Sequence, residues 1–241
     1  RGVRIRPIDS EHNAIAECMS EERKANVKRL ILTASGGPFR EYSAEQLEHV
    51  SPEEALDHPT WSMGPKITID SATMMNKGFE VIEGHHLFNT PVSCIDVIIH
   101  PQSIIHSMVE YIDGSILAQL SVTDMYLTIQ SALTFPRRLK NKITPLDFRS
   151  LNSLTFQEPD TERFPCLEFA YEAVRTGGTA TVALNAANEI AVRRFLRGEI
   201  GFPDIPRIIY ETIQKHDVIS EPDIETIEEM DKWARKAAET L

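Results

Sequence analysis

Trp61-Ser-Met-Gly-Pro-Lys-Ile-Thr-Ile-Asp-Ser-Ala-Thr-Met-Met-Asn-Lys-Gly-Phe-Glu80 gathers a hydroxyl, an amide, an ammonium and a carboxylate between Ser71 and Glu80. Lys66 to Asp70 alternates and is rich in β-branched residues, which predicts a short strand. Ser71 or Thr73 then caps a helix running to about Phe88. Met75, Phe79 and Ile82 recur at helical spacing and face a core, while Asn76, Glu80 and Glu83 share a second face. Lys77, three residues before Glu80, can pair with it. A solvated helix face with one ion pair would explain that spacing alone. Two details point further. Gly78 costs a helix interior about 1 kcal/mol relative to Ala and so marks the close approach of a ligand or a backbone. The hydroxyls of Ser71 and Thr73 stand where a helix start favours an anion. A phosphate reached by Asn76 and Lys77, with Glu80 holding a cation nearby, follows from these residue types.

The rest of the chain sets the frame. Its 241 residues allow one large or two modest domains with a substantial core. With 41% hydrophobic and 25% charged residues it reads as an ordinary globular chain. A formal charge of −11 argues against nucleic acid or an anionic membrane as the main partner. Cys18, Cys94 and Cys166 form neither a zinc spacing nor a disulfide framework, which suits a reducing compartment. No apolar run reaches membrane-spanning length. The chain opens at Arg1 rather than Met, as expected of a fragment or a processed form.

Taken in order, Arg1 to Pro7 alternates like a strand and delivers Asp9-Ser-Glu-His12. At a strand end, Asp9 and Glu11 project to one side and call for a divalent cation, Mg²⁺ or Mn²⁺ rather than zinc. Equally, Asp9 or Ser10 caps a helix through His12 to Met19, in which the two carboxylates would not face each other. Arg29 to Thr33 is a buried strand feeding Ser35-Gly-Gly, whose backbone can surround an anion or simply turn. Pro52 to His58 reads as a short helix, and His58-Pro-Thr-Trp-Ser-Met63 as a loop in which Trp61 packs or acts as a lid. Ile95 to Ile99 is a further strand. Ile104 to Tyr111 and Ile116 to Ser121 form a hairpin about Asp113-Gly114. His106, alone on its strand, is more often a satisfied core group than a ligand.

Beyond Pro136 the texture changes. Residues 137 to 164 read as an irregular linker. Helices follow at about 167–174, 180–197, 205–216 and 223–241, the last with an apolar stripe of Ile224, Ile227, Met230, Ala234 and Ala237. The resulting division is a catalytic region at 1–135, a linker at 136–164 and a four-helix bundle at 165–241. The fold class expected is α+β, with a small, mostly β sheet flanked by helices.

Six blocks then carry a family resemblance. Asp9-Ser-Glu-His-Asn-Ala14, Ser35-Gly-Gly-Pro-Phe39, His58-Pro-Thr-Trp-Ser-Met-Gly64, Asp70 to Gly78 with Glu80, His100-Pro-Gln-Ser103 and Ala183-Leu-Asn-Ala-Ala-Asn-Glu189 occur in family order across the whole chain. They resemble 1-deoxy-D-xylulose 5-phosphate reductoisomerase, which rearranges and reduces its substrate to 2-C-methyl-D-erythritol 4-phosphate in non-mevalonate isoprenoid biosynthesis. The resemblance implies that Asp9, Glu11 and Glu80 bind Mg²⁺ or Mn²⁺ (with Co²⁺ as a further option) and take part in catalysis with His58. It implies substrate contacts from Ser10, Ser35, His58, Trp61, Ser71, Asn76, Lys77, Glu80 and His106, with Met63 and Met125 beside NADPH. It further implies a homodimer in the cytoplasm of a bacterium or a plastid stroma, with a small sugar phosphate as the other partner.

One departure stands out. No G-x-G-x-x-G follows a strand, so the expectation is a fragment lacking an N-terminal NADPH-binding domain and inactive alone. The alternatives are a metal-dependent sugar-phosphate isomerase or aldolase without nicotinamide, and a non-catalytic phosphosugar-binding or dimerisation fragment.

Overall fold

The computed structural model describes residues 3, 5–19 and 24–241. They gather into two compact units, Arg1–Ser35 with Glu83–Pro159 and Gly36–Ile82 with Asp160–Leu241. These units cut across the boundaries at 135 and 164 read from the sequence. Local periodicity marks where elements lie, whereas a shared core depends on long-range packing that periodicity does not carry.

The first unit holds a four-stranded sheet in the order β2 (Ile95–Ile99), β1 (Val27–Ala34), β3 (Ile105–Tyr111), β4 (Ile116–Leu120). β2 runs parallel to β1, and β3 is antiparallel to both of its neighbours, β1 and β4. Leu30, Leu32 and Val109 are fully buried on one face, against which α1 (Ser10–Cys18) packs across β3 and β4. Tyr111 Oη fastens that helix by donating to the Cys18 carbonyl at 2.8 Å. On the other face Arg29 pairs with both Asp96 and Glu110, and Lys28 Nζ reaches Glu110 Oε1 at 2.7 Å. The expected hairpin turns at Gly114 with φ +84°, where Asp113 Oδ1 accepts from the Ser115 N–H at 2.9 Å.

Two sequence readings fail in this unit. The described residues of the 1–7 stretch form no strand, and Arg1, Gly2 and Arg4 lie outside the described residues. Helix α6 (Met125–Thr134), capped by Asp124 accepting from the Tyr126 N–H, was not anticipated. Its Tyr126, Ile129 and Leu133 are exposed, so no buried stripe announced it. Residues 137–159 are irregular as expected, tied to β2 by the Ile99–Gln157 bridge.

In the second unit, α2 (Ala44–Leu47) and α3 (Pro52–Leu56) each open on a capping box, from Ser43 with Gln46 and Ser51 with Glu54. Lys66 to Asp70 is helical, not a strand: it lies in α4 (Pro65–Ala72). Pro65 at the first helical position sets φ for a helix start, and Thr68 Oγ1 donates to the Gly64 carbonyl at 2.8 Å. Thr68, Ile69 and Ala72 are buried at helical spacing, and the alternation of Ile67 with Ile69 is coincidental. Ser71 therefore lies in the last turn of α4 and caps nothing. Met74, at φ +64°, turns the chain into α5 (Met75–Phe88), whose first residue donates to Thr73 Oγ1 at 3.4 Å.

α7 (Cys166–Thr176), α8 (Ala180–Leu196), α9 (Asp204–Gln214) and α10 (Ile224–Glu239) stand where the sequence placed four helices. α8 packs on the other three. Its Ala183, Leu184, Ala186, Ala187 and Ala191 are fully buried, and the small side chains of the four alanines admit close helices. The stripe read on α10 is corrected at its start. Ile224 and Ile227 are exposed, and the buried contacts are Ala234 and Ala238, with Trp233 packed on Ala183 and Ala186.

Candidate active site

The expected site residues fall into two groups, each inside one unit. In the first unit Asp9 is the N-cap of α1 at φ −64°, ψ 133°, with its carboxylate engaged by no helical N–H. The helical alternative for this stretch is thus the one observed. The extended backbone at Asp9 lifts its side chain off the helical spiral, and both carboxylates act on Glu83 of α5. Burial pushes the Glu83 carboxyl up; His12 draws it down, and Asp9 and Glu11 push it up again. His12 Nδ1 stands 3.8 Å from Asp9 Oδ2 and 3.7 Å from Glu83 Oε2. Its ring is fully buried and stacks on Phe88 at 6.1 Å. Ser10 Oγ donates to Glu11 Oε2 at 2.5 Å. Crowded carboxylates of this kind offer hard oxygen ligands to a divalent cation, which would relieve their repulsion.

Ser35 follows the end of β1, partly buried. His106, buried on β3, has Nε2 2.8 Å from Ser121 Oγ. Met125 opens α6 and is 38% exposed.

The second unit carries the phosphate-type residues. Lys77 and Glu80 are both buried, with Nζ 2.6 Å from Oε2. Asn76 Nδ2 donates to Glu80 Oε1 at 2.7 Å. Glu80 precedes Glu83 by one turn of α5. Gly36 and Gly37 adopt φ +84° and +71°, and a Cβ on Gly37 would lie 2.7 Å from the Ser71 carbonyl oxygen. This second glycine therefore lets the loop after β1 seat on the last turn of α4. Gly78 marks a helix contact, not a ligand: its Cβ would meet Ala170 Cβ at 2.7 Å. His58 Nδ1 accepts from the N–H groups of Thr60 (3.2 Å) and Trp61 (3.0 Å), which shapes the loop that also carries Met63. Burial first, and Arg40 second, lower the His58 pKa, consistent with a neutral ring accepting at Nδ1.

Reading of the sequence assigned no residue-level role to His12 or Asn188, offered Gly37 only as part of an anion-binding or simple turn, and placed Asp70 at the end of a strand. His12 stands three residues after Asp9 on one helix face, a spacing that did carry the signal. The bond from Asn188 to Asp70 spans 118 residues and left no local trace.

Two family models match the chain. One describes the 1-deoxy-D-xylulose 5-phosphate reductoisomerase C-terminal domain and covers residues 5–88; the other describes the DXP reductoisomerase C-terminal domain and covers 120–237. The chain is 56% identical over 240 residues to 1-deoxy-D-xylulose 5-phosphate reductoisomerase of Acetivibrio thermocellus, covering 100% of this chain and 63% of that one. It is 54% identical over 239 residues to the same enzyme of Prosthecochloris aestuarii, covering 99% and 63%. Among solved structures, the Zymomonas mobilis enzyme in complex with NADPH superposes with a TM-score of 0.90 at 45% identity, over 98% of this chain and 60% of that one. A DOX-P reductoisomerase in complex with NADPH, fosmidomycin and magnesium gives 0.91 at 45% identity, over 99% and 63%. The chain thus spans less than two thirds of the length of these relatives.

Proposed function

The chain belongs to the 1-deoxy-D-xylulose 5-phosphate reductoisomerase family, and we propose that it supplies the cation- and phosphate-binding part of an enzyme converting 1-deoxy-D-xylulose 5-phosphate to 2-C-methyl-D-erythritol 4-phosphate. One observation carries this reading: a buried ammonium, Lys77, stands beside a buried carboxylate, Glu80, directly after Ser71 and Asn76. Burying opposite charges is costly, and a site for an anion and a cation would give both charges a use beyond their own pairing.

In this reading Ser35, Ser71, Asn76 and Lys77 hold the phosphate, whose binding energy lies remote from the reacting carbons. Asp9, Glu11 and Glu80 hold Mg²⁺ or Mn²⁺, with Co²⁺ also accepted. Asp9 and Glu11 both stand within electrostatic reach of Glu83, so a cation held there would meet carboxylates on more than one side. When bound, the cation acts as a Lewis acid on the ketone and its neighbouring hydroxyl. NADPH supplies the hydride, beside Met63 and Met125, with most of its binding outside these 241 residues. Ser10 and His106 contact the sugar. His58 and Trp61 belong to a loop that closes over it and excludes water. Residues 1–135 carry the chemistry, and the helices from 165 onward support it. The enzyme works as a homodimer in the cytoplasm or a plastid stroma. Among the described residues, no helix is long and apolar enough to cross a membrane.

Isothermal titration of the chain with a hydroxamate phosphonate, with and without Mn²⁺, tests the proposal. Binding that requires Mn²⁺ is the expected result. Binding indifferent to the cation, or none in its presence, would overturn it.

A further inference from the structure

Four of the six sequence blocks hold residues assigned to the site or its closing loop; of the others, His100-Pro-Gln-Ser103 forms the turn between β2 and β3, and Ala183-Leu-Asn-Ala-Ala-Asn-Glu189 lies on α8, in helices whose charges otherwise face solvent. Its Asn188 is fully buried, and Nδ2 donates to Asp70 Oδ1 at 2.8 Å. Asp70 is itself 1% exposed and takes Lys66 Nζ on its other oxygen at 2.5 Å. Asn188 Oδ1 meets no donor among the described residues, so the Nδ2 bond is what orients the amide. A buried carboxylate with two directed partners is a fixed point. Burial pushes the Asp70 carboxyl up, and Lys66 and Asn188 counter that push, so the bond favours the charged form.

What lies next to this fixed point gives it meaning. Ser71 is the following residue, and its carbonyl accepts from the Met74 N–H at 3.3 Å. Thr73 Oγ1 donates to the Asp70 carbonyl at 3.3 Å. The left-handed Met74 then turns directly into Asn76 and Lys77. Between Asp70 and Lys77 only the two-residue turn at Thr73 and Met74 intervenes, too short to absorb a displacement. A shift or rotation of the end of α4 passes into all three side chains expected to hold phosphate.

We propose that Asn188 is a positioning residue for the phosphate site, acting through its bond to Asp70 to hold Ser71, Asn76 and Lys77 in register. The inference rests on the phosphate role proposed above. Glu189, its neighbour, takes part from the same turn: Arg235 Nη1 holds it at 2.7 Å and Asn185 Nδ2 at 3.3 Å, away from the carboxylate it would repel. The sixth block thus belongs to the site without touching its ligand.

Calorimetry on the full 241-residue chain, with Mg²⁺ present, tests this with 1-deoxy-D-xylulose 5-phosphate and its dephosphorylated analogue. Asn188→Ala should lose affinity for the phosphorylated sugar by about tenfold or more. Affinity for the analogue and for Mg²⁺ should stay within twofold, roughly the measuring error expected of weak binding. Exchanging the pair, as Asp70→Asn with Asn188→Asp, should recover part of the loss. An Asn188→Ala variant that melts earlier yet binds both sugars as the parent does would overturn the inference and leave the functional proposal standing. A parent chain that binds neither sugar would overturn the functional proposal itself, and the inference with it. Should the variant not fold, hydrogen exchange on the parent decides. The phosphorylated sugar should slow exchange in the α8 turn around Asn188 as well as in α5, and protection of α5 alone would overturn the inference.

Discussion

Lys77 Nζ lies 2.6 Å from Glu80 Oε2, and Asn76 Nδ2 lies 2.7 Å from Oε1 of the same carboxylate. One acid group on α5 thereby holds two residues proposed to bind phosphate. A cation that draws on Glu80 loosens Lys77 and Asn76 for an anion, so the two ligands should assist each other. Mn²⁺ should tighten binding of the phosphorylated sugar by roughly fivefold or more, and the sugar should tighten Mn²⁺ by the same factor. Independent titrations of each ligand, with and without the other, check this. Equal affinities in both arms would show no coupling.

Glu80→Gln keeps the shape of the side chain and removes one anionic ligand. Its affinity for Mn²⁺ should fall by about tenfold or more, read by calorimetry. Lys77→Ala should weaken the phosphorylated sugar far more than its dephosphorylated analogue, and equal losses would mark Lys77 as structural.

Gly37→Ala places a methyl 2.7 Å from the Ser71 carbonyl at a backbone φ of +71°. Backbone cannot yield as a flexible side chain does, so the loop after β1 must lift from α4. Stability should drop by about 1–3 kcal/mol, and affinity for the phosphorylated sugar should drop with it. Denaturant melts and calorimetry on one preparation would separate the two effects.

Gly78→Ala sets two preferences against each other. An exposed helix would gain about 1 kcal/mol from the change. Here the new methyl meets Ala170 Cβ at 2.7 Å between α5 and α7, and overpacking of this kind costs about 1–3 kcal/mol. The single variant should melt earlier than the parent, and adding Ala170→Gly should restore most of the loss.

His216 gives the helices a pH dependence. It is buried, has Nε2 3.1 Å from Thr179 Oγ1, and lies tilted against Trp233 with ring centroids 5.3 Å apart. Burial lowers its pKa from 6.5, and Asp217 opposes this. The folded chain therefore resists a proton that the unfolded chain accepts. Stability should be full above about pH 6.5 and should fall as the pH drops toward the folded-state value. His58 acts in the same direction, so the comparison must be a difference. His216→Gln should show a shallower loss between pH 7.5 and about 5.5 in urea melts.

How much of this was legible follows the range of each interaction. The Asn76, Lys77 and Glu80 cluster was readable because helical spacing alone brings it together. The hairpin about Gly114 and the four later helices were readable from turn residues and apolar periods. Lys66 to Asp70 misled because two isoleucines two residues apart satisfy a strand pattern, while Pro65 decides for a helix. Asp9 and Glu11 were read as projecting together only from a strand end; the structure has the helical alternative, with Asp9 as an extended N-cap. Asn188 and Asp70 illustrate the limit: no local pattern in sequence announces a hydrogen bond across 118 residues.

The interleaving of the two units has a temporal consequence. Residues 36–82 leave the ribosome before the helices that complete their unit, which begin beyond Asp160. At about 5–20 residues per second, the 118 residues from Asp70 to Asn188 take about 6–24 seconds to make. Throughout that interval the Asp70 carboxylate must stay hydrated and α4 unanchored. The stretch that holds Ser71 and Lys77 is made well before the helix that locks it, which leaves its apolar residues to nascent-chain chaperones meanwhile.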